Sequence, residues 1–336
     1  MRNARGRVDV LGRDWLVREG RWLQHRGKLQ RALVTGGAGF IGSHLVRSLS
    51  DDGLDVLVLD SSAEAMARNA EPLLGSAGLE LVVGDIRCRE TLDRVVRFEA
   101  DIVFHLAALH FVPSCAAHPD EAWSVNVVGT ERLLRELRAA PPRVFVLASS
   151  AAVYGFSDVA RREEDAPAPT DIYGRTKVRC EELLADFADS EGEARCVAAR
   201  LFNVYGPNDT TPHVVPEIIT AAAQGTTMRI GNLWPKRDYV FVSDAAEALT
   251  RIAVGGGGFD VFNVGTGVPR SVLDLVRAVE GLSRKRIDLI SDPARVREND
   301  GHLFADRGKL HEATDWQPRI QLEQGLQELI SAPICV

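Results

Sequence analysis

The run Val34-Thr35-Gly36-Gly37-Ala38-Gly39-Phe40-Ile41-Gly42-Ser43-His44 restricts the architecture of this chain more than any other stretch. Residues Arg31 to Thr35 read as a buried strand and Ile41 to Leu49 as the helix after it. Between them stand Gly36, Gly39 and Gly42, spaced G-x-x-G-x-x-G. The first glycine permits a tight turn, the second lets backbone approach a pyrophosphate, and the third lets helix pack on strand. Free N–H groups at the helix start, around Phe40 and Ile41, then face the phosphates. A second apolar strand, Asp55 to Leu59, ends in Asp60, an acid able to hydrogen-bond the ribose hydroxyls of NAD. Ser61 and Ser62 follow, and no arginine stands beside the acid to hold a 2′-phosphate, so NAD is favoured over NADP.

From residue 31 strands and helices alternate. Leu79 to Val83 is a third strand, followed by Gly84-Asp85-Ile86, which places Asp85 and Ile86 at the sheet's carboxyl edge where an adenine can rest. Asp101 to Leu106 is a fourth strand, and the small residues Ala107 and Ala108 after Leu106 leave room for a cofactor. His105, at a buried strand end, is expected to be structural. A long helical stretch from about Ser114 to Arg138 carries Asn126, a residue type that marks a kink or a cofactor-side hydrogen bond. Arg143 to Ser149 is a fifth strand. This rhythm predicts an α/β fold with a doubly wound parallel sheet, whose ligands sit at the strands' carboxyl ends.

Beyond residue 200 prolines and glycines gather and the rhythm loosens. Asp238 to Val242 and Phe259 to Val264 are expected to return to the sheet. Pro216 to Gln224 (helix), Arg286 to Ile290 (strand) and Leu322 to Ile330 (helix) are expected to build a second lobe. The expected division is 1–30 as a basic extension, 31–200 with segments near 238–265 as the dinucleotide-binding part, and 201–336 as mainly a substrate lobe. The extension holds eight Arg or Lys against Asp9, Asp14 and Glu19, and Gly12, Gly20 and Gly27 argue against a stable helix there. It is expected to be a flexible leader.

The chain has 336 residues, 45% of them hydrophobic, enough for one large α/β unit or two joined lobes. A formal net charge of -7 gives no electrostatic footprint for nucleic acid. No apolar run is long enough to span a bilayer, and no signal-peptide core precedes the first strand. The five cysteines show neither C-x-x-C pairs nor metal-ligand spacing with histidines, and are expected to be reduced thiols of a cytosolic protein.

The fifth strand ends in Ser149-Ser150-Ala151-Ala152-Val153-Tyr154-Gly155, so Ser150 reaches the sheet edge above the expected nicotinamide. Downstream, Tyr173-Gly174-Arg175-Thr176-Lys177 has Y-x-x-x-K spacing, and residues i and i+4 share a helix face. A phenol with a pKa near ~10 needs a drop of about three units, about 4 kcal/mol, to act as a base near neutrality. One cation at ~4 Å in an effective dielectric of ~20 supplies an interaction of that order. Tyr173 is therefore a candidate base for a substrate hydroxyl, with Lys177 lowering its pKa and reaching the nicotinamide ribose, and with Ser150 holding the reacting oxygen. The alternative is an exposed Tyr and Lys on an ordinary helix. The order of the glycine turn, Asp60, Ser150, Tyr173 and Lys177 favours catalysis.

These segments together resemble an extended short-chain dehydrogenase/reductase of the NAD-dependent nucleotide-sugar epimerase/dehydratase group. The resemblance runs from about Arg31 to about Ile330 and rests on T-G-G-A-G-F-I-G-S-H, G-D-I-R, H-L-A-A, S-S-A-A-V-Y-G, Y-G-R-T-K, R-L-F-N-V-Y-G-P, R-D-Y-V-F-V-S-D, F-N-V-G-T-G and A-D-R-G-K. It implies a Rossmann lobe holding NAD, a smaller α/β C-terminal lobe holding a nucleoside diphosphate sugar, and a homodimer joined by the helices that start near Ser114 and Asp171. By the same resemblance Asn203, Arg237 and Arg297 contact the diphosphate, a sensible task for guanidinium forks. Taken alone, either arginine is also compatible with a surface ion pair.

Three outcomes start from a 4-keto sugar: epimerisation, loss of water across C5 and C6, or loss of carbon dioxide from a uronic acid. The 4,6-dehydratases that this chain resembles carry Thr-Asp-Glu where Ser150-Ala151-Ala152 stands, and the decarboxylases carry Glu at the position of Ala152. Alanines supply neither acid nor base, so 4-epimerisation is the favoured outcome, with dehydration or decarboxylation second. The segment Leu109-His110-Phe111-Val112-Pro113 departs from the usual epimerase sequence, and His110 is either a sugar contact or a bystander. A non-catalytic NAD-binding sensor is disfavoured, because Ser150, Tyr173 and Lys177 are all kept.

Overall fold

The computed structural model describes residues 29–71, 78–296 and 301–331; residues 1–28, expected to be a basic extension, and Arg297 and Cys335 lie outside them. The chain enters β1 (Arg31–Thr35), passes the glycine turn into α1 (Phe40–Asp51), and continues through β2 (Asp55–Asp60), β3 (Leu79–Val83), α2 (Arg89–Arg97) and β4 (Ile102–His105). Next come α3 (Val112–Ala117), α4 (Pro119–Trp123), a π-helical turn (Ser124–Val128), α5 (Gly129–Leu137), β5 (Val144–Ser150), α6 (Ile172–Glu191) and β6 (Arg195–Leu201). The remainder runs β7 (Asn203–Tyr205), α7 (Val214–Gln224), β8 (Met228–Ile230), β9 (Lys236–Phe241), α8 (Val242–Ile252) and β10 (Gly258–Val264). It ends with β11 (Pro269–Ser271), α9 (Val272–Ser283), β12 (Leu289–Ser291), α10 (Gly308–Thr314) and α11 (Leu322–Ser331).

Seven of these strands form one sheet in the order β10-β6-β5-β4-β1-β2-β3, parallel throughout. Every residue of β4 is buried, as expected of a strand covered on both faces. The pleat sorts the two layers. Ala32 and Val34 pack with Leu45 and Leu49 of α1 and Leu249 of α8. Leu33 packs on the other face with Leu92 of α2, Leu133 of α5 and Phe187 of α6. The strand order turns back between β1 and β4, so a crevice opens at their carboxyl ends. This is the doubly wound Rossmann arrangement expected from the sequence.

The strands β11, β9 and β7 form a separate three-stranded sheet, and β12 pairs with β8. With α7, α9 and α11 they enclose a second core that includes Tyr205, Ile218, Phe241, Leu275 and Leu326. Three expectations are corrected here. The strand at Asp238 does not join the large sheet; β9 pairs with β7 and β11. Buried Asp238 ties it there by accepting the N–H groups of Thr266, Gly267 and Ala305. Phe259 to Val264 does join the large sheet, beside β6. The long helix expected from Ser114 is interrupted at His118 (φ -132, ψ 65), because Pro119 has no N–H to continue the ladder and disfavours helical backbone before it. The strand expected over Arg286 to Ile290 is confined to Leu289–Ser291. No helix among the described residues is long and apolar enough to cross a membrane.

Candidate active site

The carboxyl ends of the central strands open into one cleft of about 1330 Å³. Every candidate residue drawn from the sequence lines it except Asn126, which is buried elsewhere, and Arg297, which lies outside the described residues. Gly36 has φ +69, and a Cβ there would stand 2.7 Å from the Ala107 nitrogen, so only glycine allows the turn to pass the end of β4. A Cβ at Gly42 would strike the Gly36 carbonyl, which accounts for the third glycine. The Asp60 carboxylate accepts the Ala38 N–H at 3.1 Å and the Ser62 N–H at 3.0 Å, one on each oxygen. Each oxygen keeps a lone pair for a ribose hydroxyl. Asn69 donates to the Ala38 carbonyl at 2.7 Å, a brace from 31 residues away that no local pattern signals. Glycine turn, free acceptors and cleft volume together fit a dinucleotide. Asp85 and Ile86 stand on the cleft wall. The hydrogen bonds from Arg87, the closest at 2.6 Å, hold the Asp85 carboxyl below its usual range against the opposing effect of burial.

At the other end of the cleft, Ser150 closes β5 and its hydroxyl accepts the Ala152 N–H at 3.1 Å. Asp171 caps α6 by accepting the Gly174 N–H at 2.7 Å, which sets Tyr173 in the first turn. A Cβ on Gly174 would strike the Ala152 carbonyl, so this glycine lets the helix close on the strand end. Tyr173 thereby faces Ser150 in the same end of the cleft. Lys177 is 3% exposed; its Nζ donates to the Ala148 carbonyl at 2.7 Å and lies 5.7 Å from the centroid of the Tyr173 ring. Burial pushes Lys177 down, opposed by Cys180, Glu181 and Cys115. Burial pushes the Tyr173 phenol up, opposed by the Ser150 hydrogen bond. The Lys177 ammonium is thus directed at a backbone carbonyl, with its charge near the Tyr173 ring.

His105 is structural as expected, but its partners are hydroxyls, not backbone. Its Nδ1 lies 2.6 Å from Thr35 Oγ1 and its Nε2 lies 2.8 Å from Thr130 Oγ1. Burial, then the Lys177 charge, pushes it down to about 3, so it is neutral at pH 7. Asn126 sits in the π-helical turn and is 1% exposed. It accepts the Leu109 N–H at 2.7 Å and donates to the Leu109 carbonyl and Thr176 Oγ1, each at 3.0 Å. This fixes the chain after β4 against the helix that carries Tyr173.

The far wall comes from the second core. Asn203 begins β7, and Arg237 on β9 donates to the Gly301 carbonyl at 2.6 Å with its guanidinium 5.1 Å from the Phe156 ring centroid. His110 lies in the cleft with three neighbours that sequence reasoning missed: Asp209, Thr211 and His213. The rings of His110 and His213 are 5.7 Å apart, and His213 Nδ1 is 2.9 Å from Asp209 Oδ2. Desolvation, then His213, pushes His110 below its usual value. Nothing local in the sequence joins residues about a hundred positions apart.

Comparison with known proteins agrees with this geometry. Residues 32–265 match the family described as NAD dependent epimerase/dehydratase family. A UDP-glucose 4-epimerase of Mycolicibacterium smegmatis is 34% identical over 307 residues, spanning 89% of this chain and 97% of the relative. A Thermus thermophilus UDP-glucose 4-epimerase solved with NAD is similar with a TM-score of 0.81 at 30% identity, over 90% of this chain and 98% of that one. MoeE5 solved with UDP-glucose and NAD is similar with a TM-score of 0.81 at 32% identity, over 89% of this chain and 97% of that one. By this match and these relatives, the chain belongs to the NAD dependent epimerase/dehydratase family.

Proposed function

We propose that this protein is an NAD-dependent nucleotide-sugar 4-epimerase that works through a transient 4-keto sugar. The observation that carries the reading is that Ser150, Tyr173 and Lys177 line one end of a single cleft, with two alanines following Ser150. Tyr173 takes the proton from the sugar's C4 hydroxyl. Ser150 hydrogen-bonds that oxygen and holds it against the phenol. Lys177, anchored on Ala148, holds a positive charge beside Tyr173 and serves the nicotinamide ribose. NAD, when bound, supplies the acceptor for the hydride of C4 and its later return to the sugar's other face. Asp60, the glycine turn of Gly36, Gly39 and Gly42, and the helix start at Phe40 and Ile41 hold the adenosine and pyrophosphate. Asp85, Ile86, Leu106, Ala107 and Ala108 form the rest of that wall. Asn203, Arg237 and Arg297 take the sugar's diphosphate. Ala151 and Ala152 offer no acid or base for expelling a C6 hydroxyl, which supports epimerisation over dehydration.

The active species in this reading is a homodimer formed through α3 to α5 and α6, and its compartment is the reducing cytosol. The described cysteines, all free, support the second point. Light scattering giving one chain mass would contradict the dimer. The reaction is tested by incubation with UDP-glucose, UDP-N-acetylglucosamine, UDP-glucuronate and dTDP-glucose, followed by chromatography and mass spectrometry. The expected result is a new peak of unchanged mass from one donor. A product lighter by water or carbon dioxide contradicts it.

A further inference from the structure

Along α6, Lys177 follows Tyr173 by four residues and Glu181 follows Lys177 by four, so the three side chains share one face. That face meets three consecutive residues at the end of β5. Lys177 Nζ donates to the Ala148 carbonyl at 2.7 Å, the Ser149 hydroxyl donates to Glu181 Oε1 at 2.5 Å, and the Ser150 side chain meets the Tyr173 hydroxyl. Glu181 is held in turn by Arg200, which stands opposite Ser149 on β6. Arg200 donates from Nε to Oε1 at 3.0 Å and from its terminal nitrogen to Oε2 at 2.7 Å, and the two side chains are 5% and 8% exposed. Its other nitrogen donates to the Tyr154 hydroxyl at 2.7 Å, and Tyr154 donates to Asn263 Oδ1 at 2.8 Å. All three guanidinium nitrogens are thus engaged, two by Glu181 and one by Tyr154.

Taking two charges out of water is costly, and a buried pair is a weak way to stabilise a fold. Its position explains it better. We propose that Glu181 and Arg200 are positioning residues for the reaction: they clamp the end of β5 onto α6 so that Ser150 meets Tyr173, and they set a fixed negative charge one turn from Lys177. The inference rests on the epimerase reading for the roles of Ser150, Tyr173 and Lys177. Around Lys177 stand Tyr173, Cys180 and Glu181 of α6, Cys115 of α3, and His105 and His110 at and after the end of β4. Around Glu181 stand Lys177, Ser149 and Arg200, with Tyr154 and the Glu163 carbonyl behind Arg200. Tyr173 also faces Asp171. The clamp therefore supplies the charges most readily altered without touching the reacting groups.

Glu181→Gln keeps an oxygen for Ser149 but removes the anion and leaves the Arg200 charge uncompensated. This single-unit change in local charge favours the deprotonated forms of Tyr173 and Lys177. The expected result is a kcat lowered about tenfold, from lost alignment. The KM of the donor stays within about twofold, and the acid limb of the pH profile moves down by roughly half a unit. Arg200→Lys and Ser149→Ala, which keep the net charge, are expected to lower kcat with the limb unmoved, and they carry the test if Glu181→Gln does not fold. Phenolate absorbance, taken as the difference between each protein and its Tyr173→Phe counterpart, reads the same ionisation without turnover. A wild-type chain that converts no donor overturns the epimerase reading, while the absorbance titration still decides the clamp. A folded Glu181→Gln protein with an unmoved Tyr173 titration overturns the clamp, as does wild-type kcat in Ser149→Ala and Arg200→Lys.

Discussion

The Lys177 ammonium lies 2.7 Å from the Ala148 carbonyl and 5.7 Å from the centroid of the Tyr173 ring, so the strand that ends in Ser150 also fixes the charge beside the phenol. Burial first, then Cys115, Asp171 and Cys180, pushes the Tyr173 phenol further up, against the effect of Ser150. In the proposed reaction, the positive charge that oxidised NAD would bring into the cleft is what would lower the phenol, so that proton abstraction would be coupled to occupancy of the cofactor site.

Tyr173→Phe removes the hydroxyl and little else. Turnover is expected to fall by about 10²–10⁴, the range for a positioned acid–base group, with the content of bound NAD unchanged. Kinetics together with cofactor extraction checks both parts. Appreciable residual turnover at wild-type NAD content would assign the base elsewhere.

Asp60 holds the turn by accepting from Ala38 and Ser62, and in the proposed site its remaining lone pairs take the ribose hydroxyls. Asp60→Ala is expected to weaken NAD binding roughly tenfold to a hundredfold, since hydrogen bonds to charged groups contribute about 1.5–3 kcal/mol. No affinity for NADP is gained, because no arginine is added. Calorimetric titration with both dinucleotides measures this.

His213 reaches the cleft from the start of α7, with its ring oriented by Asp209. Its replacement by alanine is expected to raise the donor's KM about fivefold, the effect of one hydrogen bond near 1 kcal/mol, without changing NAD affinity. An effect on NAD affinity and none on KM would remove His213 and His110 from the sugar end.

Asp244 in α8 accepts the N–H groups of Arg319 at 3.0 Å and Ile320 at 2.9 Å, and burial pushes its carboxyl up to about 6. A carboxyl raised in the folded state binds its proton more tightly there than in the unfolded chain. Its contribution is present below pH ~4 and is lost as pH rises through ~6, for a total of about 3 kcal/mol. Asp244→Asn lacks this titration. The stability of the native protein relative to the variant is expected to fall between pH 4 and 7, and a constant difference in Tm over that interval would contradict the assignment.

The parts legible in the sequence were those coded by short spacings. The glycine turn with Asp60, the Tyr173–Lys177 pair and Ser150 each depend on a few adjacent residues and one known period, and all of them line the same cleft. The break in the helix after Ala117 was also written locally, in Pro119, but the apolar pattern running past it outweighed that signal. The short strands β7, β8 and β11 were illegible because three residues carry no measurable alternation. Asp238 and its loop partners, the His110–His213 pair, and the Ser149–Glu181–Arg200 clamp join residues from separate elements. Only the tertiary fold brings them together.

The most direct measurement of a transient 4-keto sugar uses a donor deuterated at the sugar's C4, in ordinary water, with the intact NAD-loaded protein. The expected product has unchanged mass, inverted configuration at C4 and full retention of deuterium there, because the same hydride leaves and returns. Loss of the label to solvent, or a product lighter by water or carbon dioxide, would contradict the proposed reaction.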